Sequence, residues 1–283
     1  MAHTVRGNEA TMSGSAIVTG GASGIGRAIA AALVAEGHNV TVADLNGPGA
    51  EQVAEELTKR GPGAAVAARL DVTDAVAVAD LYRSVKAGMG RLDLVFNNAG
   101  IAVGGAAEEL TLEHWNRAID VNLKGVVHGV HAAYPIMLEQ GFGHIVNTAS
   151  LAGLVPMPMG IPYTATKHAV VGLSLGLRAE AAGRGVRVSV ICPGFVDTPL
   201  LTNINPDLPK TRMSGDARED IRRAQPRLYP ADKLARDIMR GVRKNRALIV
   251  APASGRAAWR STRLLPSGGV RAAQLFVDRL RDR

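Results

Sequence analysis

Ala16-Ile-Val-Thr19 passes without a break into Gly20-Gly-Ala-Ser-Gly24-Ile-Gly26, after which the apolar pattern is that of a helix from Ile25 to Glu36. A short buried strand, a glycine-rich turn and a helix closed by Gly37 make the opening of a βαβ unit, with Gly37 placed as a helix C-cap. Gly20, Gly24 and Gly26 have a physical use at such a turn. They let the backbone bend tightly and approach a pyrophosphate, which then rests on the positive N-terminus of the helix beside Ser23 and Ile25.

The same alternation continues outward. A strand at Asn39–Asp44 is followed by a breaker, Asn46-Gly-Pro48, and a helix to about Arg60; a strand to about Leu70 precedes a helix from Thr73 to Lys86. Further strands are expected at Leu92–Asn98, His144–Thr148, Arg187–Cys192 and Ala247–Val250, with helical stretches at Leu112–Glu139, Tyr163–Ala182 and Ala231–Arg243. Each crossover is long enough for a right-handed βαβ unit. The fold class is therefore α/β, a doubly wound and mainly parallel sheet of the Rossmann type in three αβα layers. Residues 15–255 read as one such domain, with a substrate-binding segment at about 195–230. Residues 1–14 form an N-terminal extension and 256–283 a basic C-terminal one.

Composition narrows the classes. The chain has 283 residues, 47% apolar and 20% charged, which suits a folded α/β protein and not a disordered or collagen-like one. The single cysteine, Cys192, forms no internal disulfide, and no Cys/His cluster has zinc-ligand spacing, so no metal is expected. Met1–Glu9 lacks an apolar signal region and no stretch resembles a membrane span, so the expectation is a soluble, cytoplasmic protein. The net charge of +8 is unevenly placed: residues 1–200 carry 14 basic and 17 acidic side chains, residues 201–283 carry 19 and 8. A basic tail of this kind reads first as a solvated surface, and it carries no nucleic-acid recognition motif.

Asp44, at the end of the second strand, is placed to accept hydrogen bonds from the hydroxyls of an adenosine ribose, with Leu45 beside it. A 2′-phosphate there would meet a like charge, and no neighbouring cation compensates, so NAD is expected over NADP. In these residues the chain resembles the short-chain dehydrogenase/reductase family, over about Ser15 to Thr198. The spacing Thr-Gly-x-x-x-Gly-x-Gly is that family's. The resemblance implies that Asp71-Val72 contacts the adenine, that Asn97-Asn98-Ala99-Gly100 stabilises the sheet beside the cofactor, and that Pro193-Gly194, Val196 and Thr198 hold the nicotinamide.

Tyr163 and Lys167 stand four residues apart, on one face of a helix. An ammonium beside a phenol favours the phenolate, which fits the phenol for general acid/base work. The resemblance implies that Tyr163 is the acid/base, that Lys167 also holds the nicotinamide ribose, that Ser150 binds the reacting oxygen, and that Asn122 holds a water in a proton relay. It implies an oxidoreductase moving a hydride between NAD(H) and a secondary alcohol or ketone. Apolar residues expected at the substrate, Ile101, Ala102, Val103, Leu151, Val155 and Met157, point to a hydrophobic one.

Two rival readings stay open: an NADPH-dependent reductase of 3-oxoacyl thioesters, against which Asp44 argues, and a nucleotide-sensing protein without turnover, whose mark would be a lost catalytic residue. The helices around Val121–Leu138 and Tyr163–Ala182 are expected to pair two copies into a homodimer or homotetramer. Trp259, Leu264 and Leu265, interleaved with arginines, suit either a helix packed on the body or peripheral contact with a membrane surface.

Overall fold

Runs of Val, Ile and Ala with no polar break set the central sheet, because strands covered on both faces need no alternation. In a computed structural model, residues 14–218, 221 and 227–281 are described; the expected N-terminal extension lies outside these apart from Gly14, as does part of the 195–230 segment. The strands are β1 (Ser15–Thr19), β2 (Asn39–Asp44), β3 (Ala64–Arg69), β4 (Leu94–Asn97), β5 (Gly143–Thr148) and β6 (Val186–Pro193), with a short β7 (Val196–Asp197) and β8 (Tyr229–Pro230), then β9 (Leu248–Ala251). Seven of them form one sheet in the order β3-β2-β1-β4-β5-β6-β9, every pair parallel. The expected parallel Rossmann sheet is present. Chain order reverses between β1 and β4, and ligands of such sheets bind in the crevice beyond the strand ends at that point.

Helices cover both faces. On one side α1 (Gly24–Ala35), α2 (Gly47–Thr58) and α7 (Ala231–Arg243) bring Ile29, Leu33, Val53, Leu234 and Ile238 onto Val18 and Val42. On the other, α3 (Ala75–Met89) and α5 (Gly125–Gln140) press Tyr82, Ala133 and Met137 onto Ile17, Val95 and Ile145, while α6 (Ile161–Glu180) lays Val170 and Val171 against Val190 and Cys192. Each fully buried aliphatic side chain contributes about 1.5–3 kcal/mol, so these two layers carry the fold.

Three local outcomes differ from the sequence reading. Asn46-Gly-Pro48 does more than break: Asn46 caps α2 by accepting from the Gly49 amide at 3.1 Å, and Pro48 sits in the first turn where it costs no hydrogen bond. The stretch expected as one helix over Leu112–Glu139 is α4 (Leu112–Ile119), a π-helical turn at Asp120–Lys124, and α5. The extra residue in that turn brings the fully buried Asn122 onto the backbone of Ile101. The basic extension, read as one helix on the body or a membrane-contact segment, is a pair of helices, α8 (Ala253–Leu264) and α9 (Pro266–Arg281), and α8 runs across residue 255, where the domain was expected to end. A Cβ on Gly269 would stand 2.7 Å from the Thr262 side chain, so this glycine lets the two helices close into a hairpin. No described helix is long and apolar enough to cross a membrane.

Candidate active site

The glycine turn is shaped for a backbone that must approach something closely. Gly20 (φ +65°) and Gly24 (φ +51°) occupy the left-handed region. A Cβ on Gly26 would lie 2.0 Å from the Gly20 carbonyl oxygen, so only glycine lets α1 start against its own turn. Ser23 caps α1 with extended backbone, yet its hydroxyl makes no capping bond. The first amides of α1 have no intrahelical partner either. Across the crevice, Thr198 approaches to 3.2 Å of where a Gly24 Cβ would be. This cradle has the form and donor set that a pyrophosphate requires.

Next to it, the Asp44 carboxylate is fixed by two amides, accepting from Ala22 N at 3.0 Å and Asn46 N at 2.9 Å. Among the described residues it forms no ion pair. Arg69 is its register partner on β3, but the Arg69 side chain runs along Gly47 and does not line the crevice. Leu45, Leu70, Asp71 and Val72 complete a flat apolar slot with one acidic edge, where Asp71 accepts from both the amide and the hydroxyl of Thr73.

At the middle of the sheet a chain of polar contacts joins three strand ends. Thr19 Oγ1 accepts from the amides of Asn98 (2.9 Å) and Ala99 (3.1 Å), Asn98 Nδ2 donates to the Thr19 carbonyl, and Thr148 Oγ1 donates to Asn98 Oδ1 at 3.2 Å. The Thr148 carbonyl then accepts from Lys167 Nζ at 3.0 Å. Lys167 is 3% exposed, and burial brings its pKa down from 10.5 to about 8. One helical turn earlier stands Tyr163, its ring centroid 5.5 Å from Nζ, and its hydroxyl is hydrogen-bonded by Ser150. Burial raises the Tyr163 pKa and the Ser150 bond opposes this. The lowering of the phenol expected from the ammonium is not found; burial raises it, and burial also weakens the charge of Lys167.

Asn122 stands behind this group. Its carboxamide accepts from Ile101 N at 2.9 Å and donates to Ile101 O at 3.1 Å, and a Cβ on Gly100 would meet both Asn122 Oδ1 (2.9 Å) and Lys167 Nζ (3.5 Å). Gly26, Asn97 and Asn122 are sequence-selected residues that do not line the crevice; Gly26 and Asn122 shape its wall from behind. Asn97 has a different task, as the centre of a buried bridge from Tyr82 OH through Asn147 to Ser174. Cys192 is buried near Lys167, its thiol pushed up to about 12 by burial, which fits the small hydrophobe expected.

All of this opens into one cleft of about 1,340 Å³. A pocket for one small ligand spans roughly 300–1,000 Å³, so this one has room for two side by side. Ile101, Ala102, Val103, Leu151, Val155 and Met157 line its outer half, as the sequence suggested. Sequence reasoning missed the knot that holds this half: Asn205 accepts from Gly104 N at 2.9 Å and donates to Gly104 O and Thr211 Oγ1, locking segment 199–217 to loop 101–106. An asparagine in a polar loop gives little signal, though this one takes φ +57°, a conformation asparagine tolerates. Leu70, Thr148 and the part the C-terminal helices take in the lining were missed as well. Among the described residues no group of His, Cys, Asp or Glu is arranged to hold a metal ion.

The family profile described as short chain dehydrogenase matches residues 15–209. A 2,5-dichloro-2,5-cyclohexadiene-1,4-diol dehydrogenase of Sphingobium indicum is 39% identical over 199 residues, which are 70% of this chain and 79% of that one. A D-beta-hydroxybutyrate dehydrogenase of Rhizobium meliloti is 38% identical over 205 residues, 71% and 78% of the two chains. A short-chain dehydrogenase/reductase from Burkholderia phymatum, solved in complex with NAD, superposes with a TM-score of 0.79 at 32% identity, over 88% of this chain and 92% of that one. The chain belongs to the short-chain dehydrogenase/reductase family, oxidoreductases that act on CH–OH groups.

Proposed function

We propose that this protein is an NAD(H)-dependent dehydrogenase of hydrophobic secondary alcohols, or reductase of the matching ketones, with Tyr163 as general acid/base. The observation that carries the reading is the convergence of Ser150, Tyr163 and Lys167 at the floor of a cleft whose inner half is a pyrophosphate cradle and whose outer half is apolar. Gly20, Ser23, Gly24 and Ile25 would hold the pyrophosphate, Asp44 the adenosine ribose, Leu45, Asp71 and Val72 the adenine, and Asn98, Ala99, Gly100, Lys167, Pro193, Gly194, Val196 and Thr198 the nicotinamide end. When bound there, the cofactor supplies the hydride acceptor or donor.

The remaining work belongs to the chain. Ser150 and Tyr163 hold the substrate oxygen between two hydroxyls. In reduction Tyr163 donates its proton to that oxygen, and its burial-raised pKa keeps the proton in place beforehand. In oxidation it receives the proton of the alcohol. Lys167, pinned to the Thr148 carbonyl, opposes the charge left on the phenol when the proton departs, and Asn122 positions Ile101 and Gly100 beside it. Names of relatives do not select the substrate, since they range from a chlorinated cyclohexadienediol to a hydroxy acid. The mostly aliphatic outer half of the lining supports apolar substrates, which it would favour by area removed from water. Pairing of two copies through α5 and α6, where Val127 and Leu175 stand exposed, is part of the same proposal.

Asp44 sets the cofactor. A 2′-phosphate beside a carboxylate that no cation neutralises loses affinity, so NADH is expected to bind at least tenfold, about 1.4 kcal/mol, more tightly than NADPH. Paired titrations of NADH and NADPH, each followed by reduction of apolar ketones, check this. Equal or tighter NADPH binding would mean that a cation such as Arg69 turns in, and would move the thioester-reductase reading to the front.

A further inference from the structure

We propose that the C-terminal hairpin of α8 and α9 is the roof of the substrate cleft and makes the enzyme selective for bulky or long apolar ketones and alcohols. This rests on the hydride-transfer reading above. Ala258 and Thr262 on α8, Leu265 at its C-terminal cap, and Ala272, Ala273 and Val277 on α9 line the same cleft as Ser150 and Tyr163. Their spacings place each set on one face of its helix. The inward faces are small and uncharged: Arg256, Arg260, Arg263 and Arg271 are all outside the lining, and Arg256 donates to the Val250 carbonyl at 3.0 Å. A charged substrate would find no partner on this roof, whereas an apolar one covers it.

The roof is keyed to the reacting end of the site. A Cβ on Gly255 would rest 3.4 Å from Leu151, the residue after Ser150, and Trp259 packs with Leu151 and Leu154 against the core that contains Cys192. The foot of α8 is therefore fixed, while its far end is not sealed. Leu265 lines the cleft yet is 67% exposed, an apolar side chain at the mouth that gains burial only when something large lies beneath it. Replacement of the inward alanines narrows the space without touching Ser150, Tyr163 or the nucleotide cradle.

The test is the ratio of kcat/KM for a bicyclic decalone, or a long-chain methyl ketone, to that for acetone, measured with NADH in the full-length protein and in Ala273→Trp and Leu265→Ser. In the native protein the ratio should exceed about 10, and each variant should lower it about tenfold, the scale on which apolar pockets discriminate. Acetone turnover and NADH affinity should stay within about twofold of the native values. An unchanged ratio in both variants overturns the roof. If Ala273→Trp lowers acetone turnover and NADH binding together, the tryptophan has disturbed the fold and Leu265→Ser, at an exposed side chain, decides alone. If the native protein reduces no ketone with either cofactor, the hydride-transfer reading fails first. A native enzyme that turns over acetone as well as decalone contradicts the roof alone.

Discussion

Tyr163, Lys167 and Ser150 owe their meeting to two different constraints. The tyrosine and lysine share a face of α6 by spacing alone, while Ser150 reaches them because β5 lies next to β6 and its end caps the short helical turn at Leu151–Gly153. Burial then sets their protonation. Lys167 loses its ammonium as pH rises through about 8. Under the proposed mechanism kcat/KM for ketone reduction should therefore fall as pH rises from about 7 to about 10, approaching tenfold per unit above 8. A pH–rate profile checks this; a plateau across that whole range would remove Lys167 from the proton economy. The Tyr-x-x-x-Lys pair and Asp44 were legible in the sequence because they are local patterns. The sign of the tyrosine shift was not, because desolvation depends on walls supplied by distant segments.

At the scale of elements, strands and helices of the sheet were read nearly to their ends, since β-branched runs and glycine or proline punctuation are sequence properties. The π turn at Asp120–Lys124 was invisible: nothing in Asp-Val-Asn-Leu-Lys announces that Asn122 must reach the Ile101 backbone. Helix α9 was not read from the sequence; Gly268 and Gly269 lie in its first turn, where Gly269 comes close to Thr262. Strand β5 carries a titration of its own. His144 is buried against Ser189, and burial, with the charges of Arg187 and Arg178, lowers its pKa to about 4. The unfolded chain takes up this proton near pH 6.5 and the native one only near 4. Its stabilising contribution is thus complete above about pH 6.5 and is lost as pH falls toward 4, up to about 3 kcal/mol. Urea midpoints measured across that range should drop for the native protein and drop less for His144→Gln; equal slopes would contradict the assignment.

For the whole molecule, the decisive feature is the reversal of strand order between β1 and β4, which gathers residues from Gly20 to Thr198 at one sheet edge. That gathering was foreseeable because a parallel sheet of this winding admits few topologies. The closing of the cleft by residues 258–277 was not, since it depends on where a tail lands after its last strand. The described arginines of that tail, Arg256, Arg260, Arg263 and Arg271, lie off the cleft.

In the proposed mechanism Tyr163 moves the proton while the rest of the cleft binds and positions. This is tested most directly by Tyr163→Phe, comparing NADH titration with the rate of ketone reduction in the same preparation. NADH affinity is expected within about twofold of the native protein, and the rate lowered by about 10²–10⁴. A variant that binds NADH normally and reduces the ketone at the native rate would contradict it.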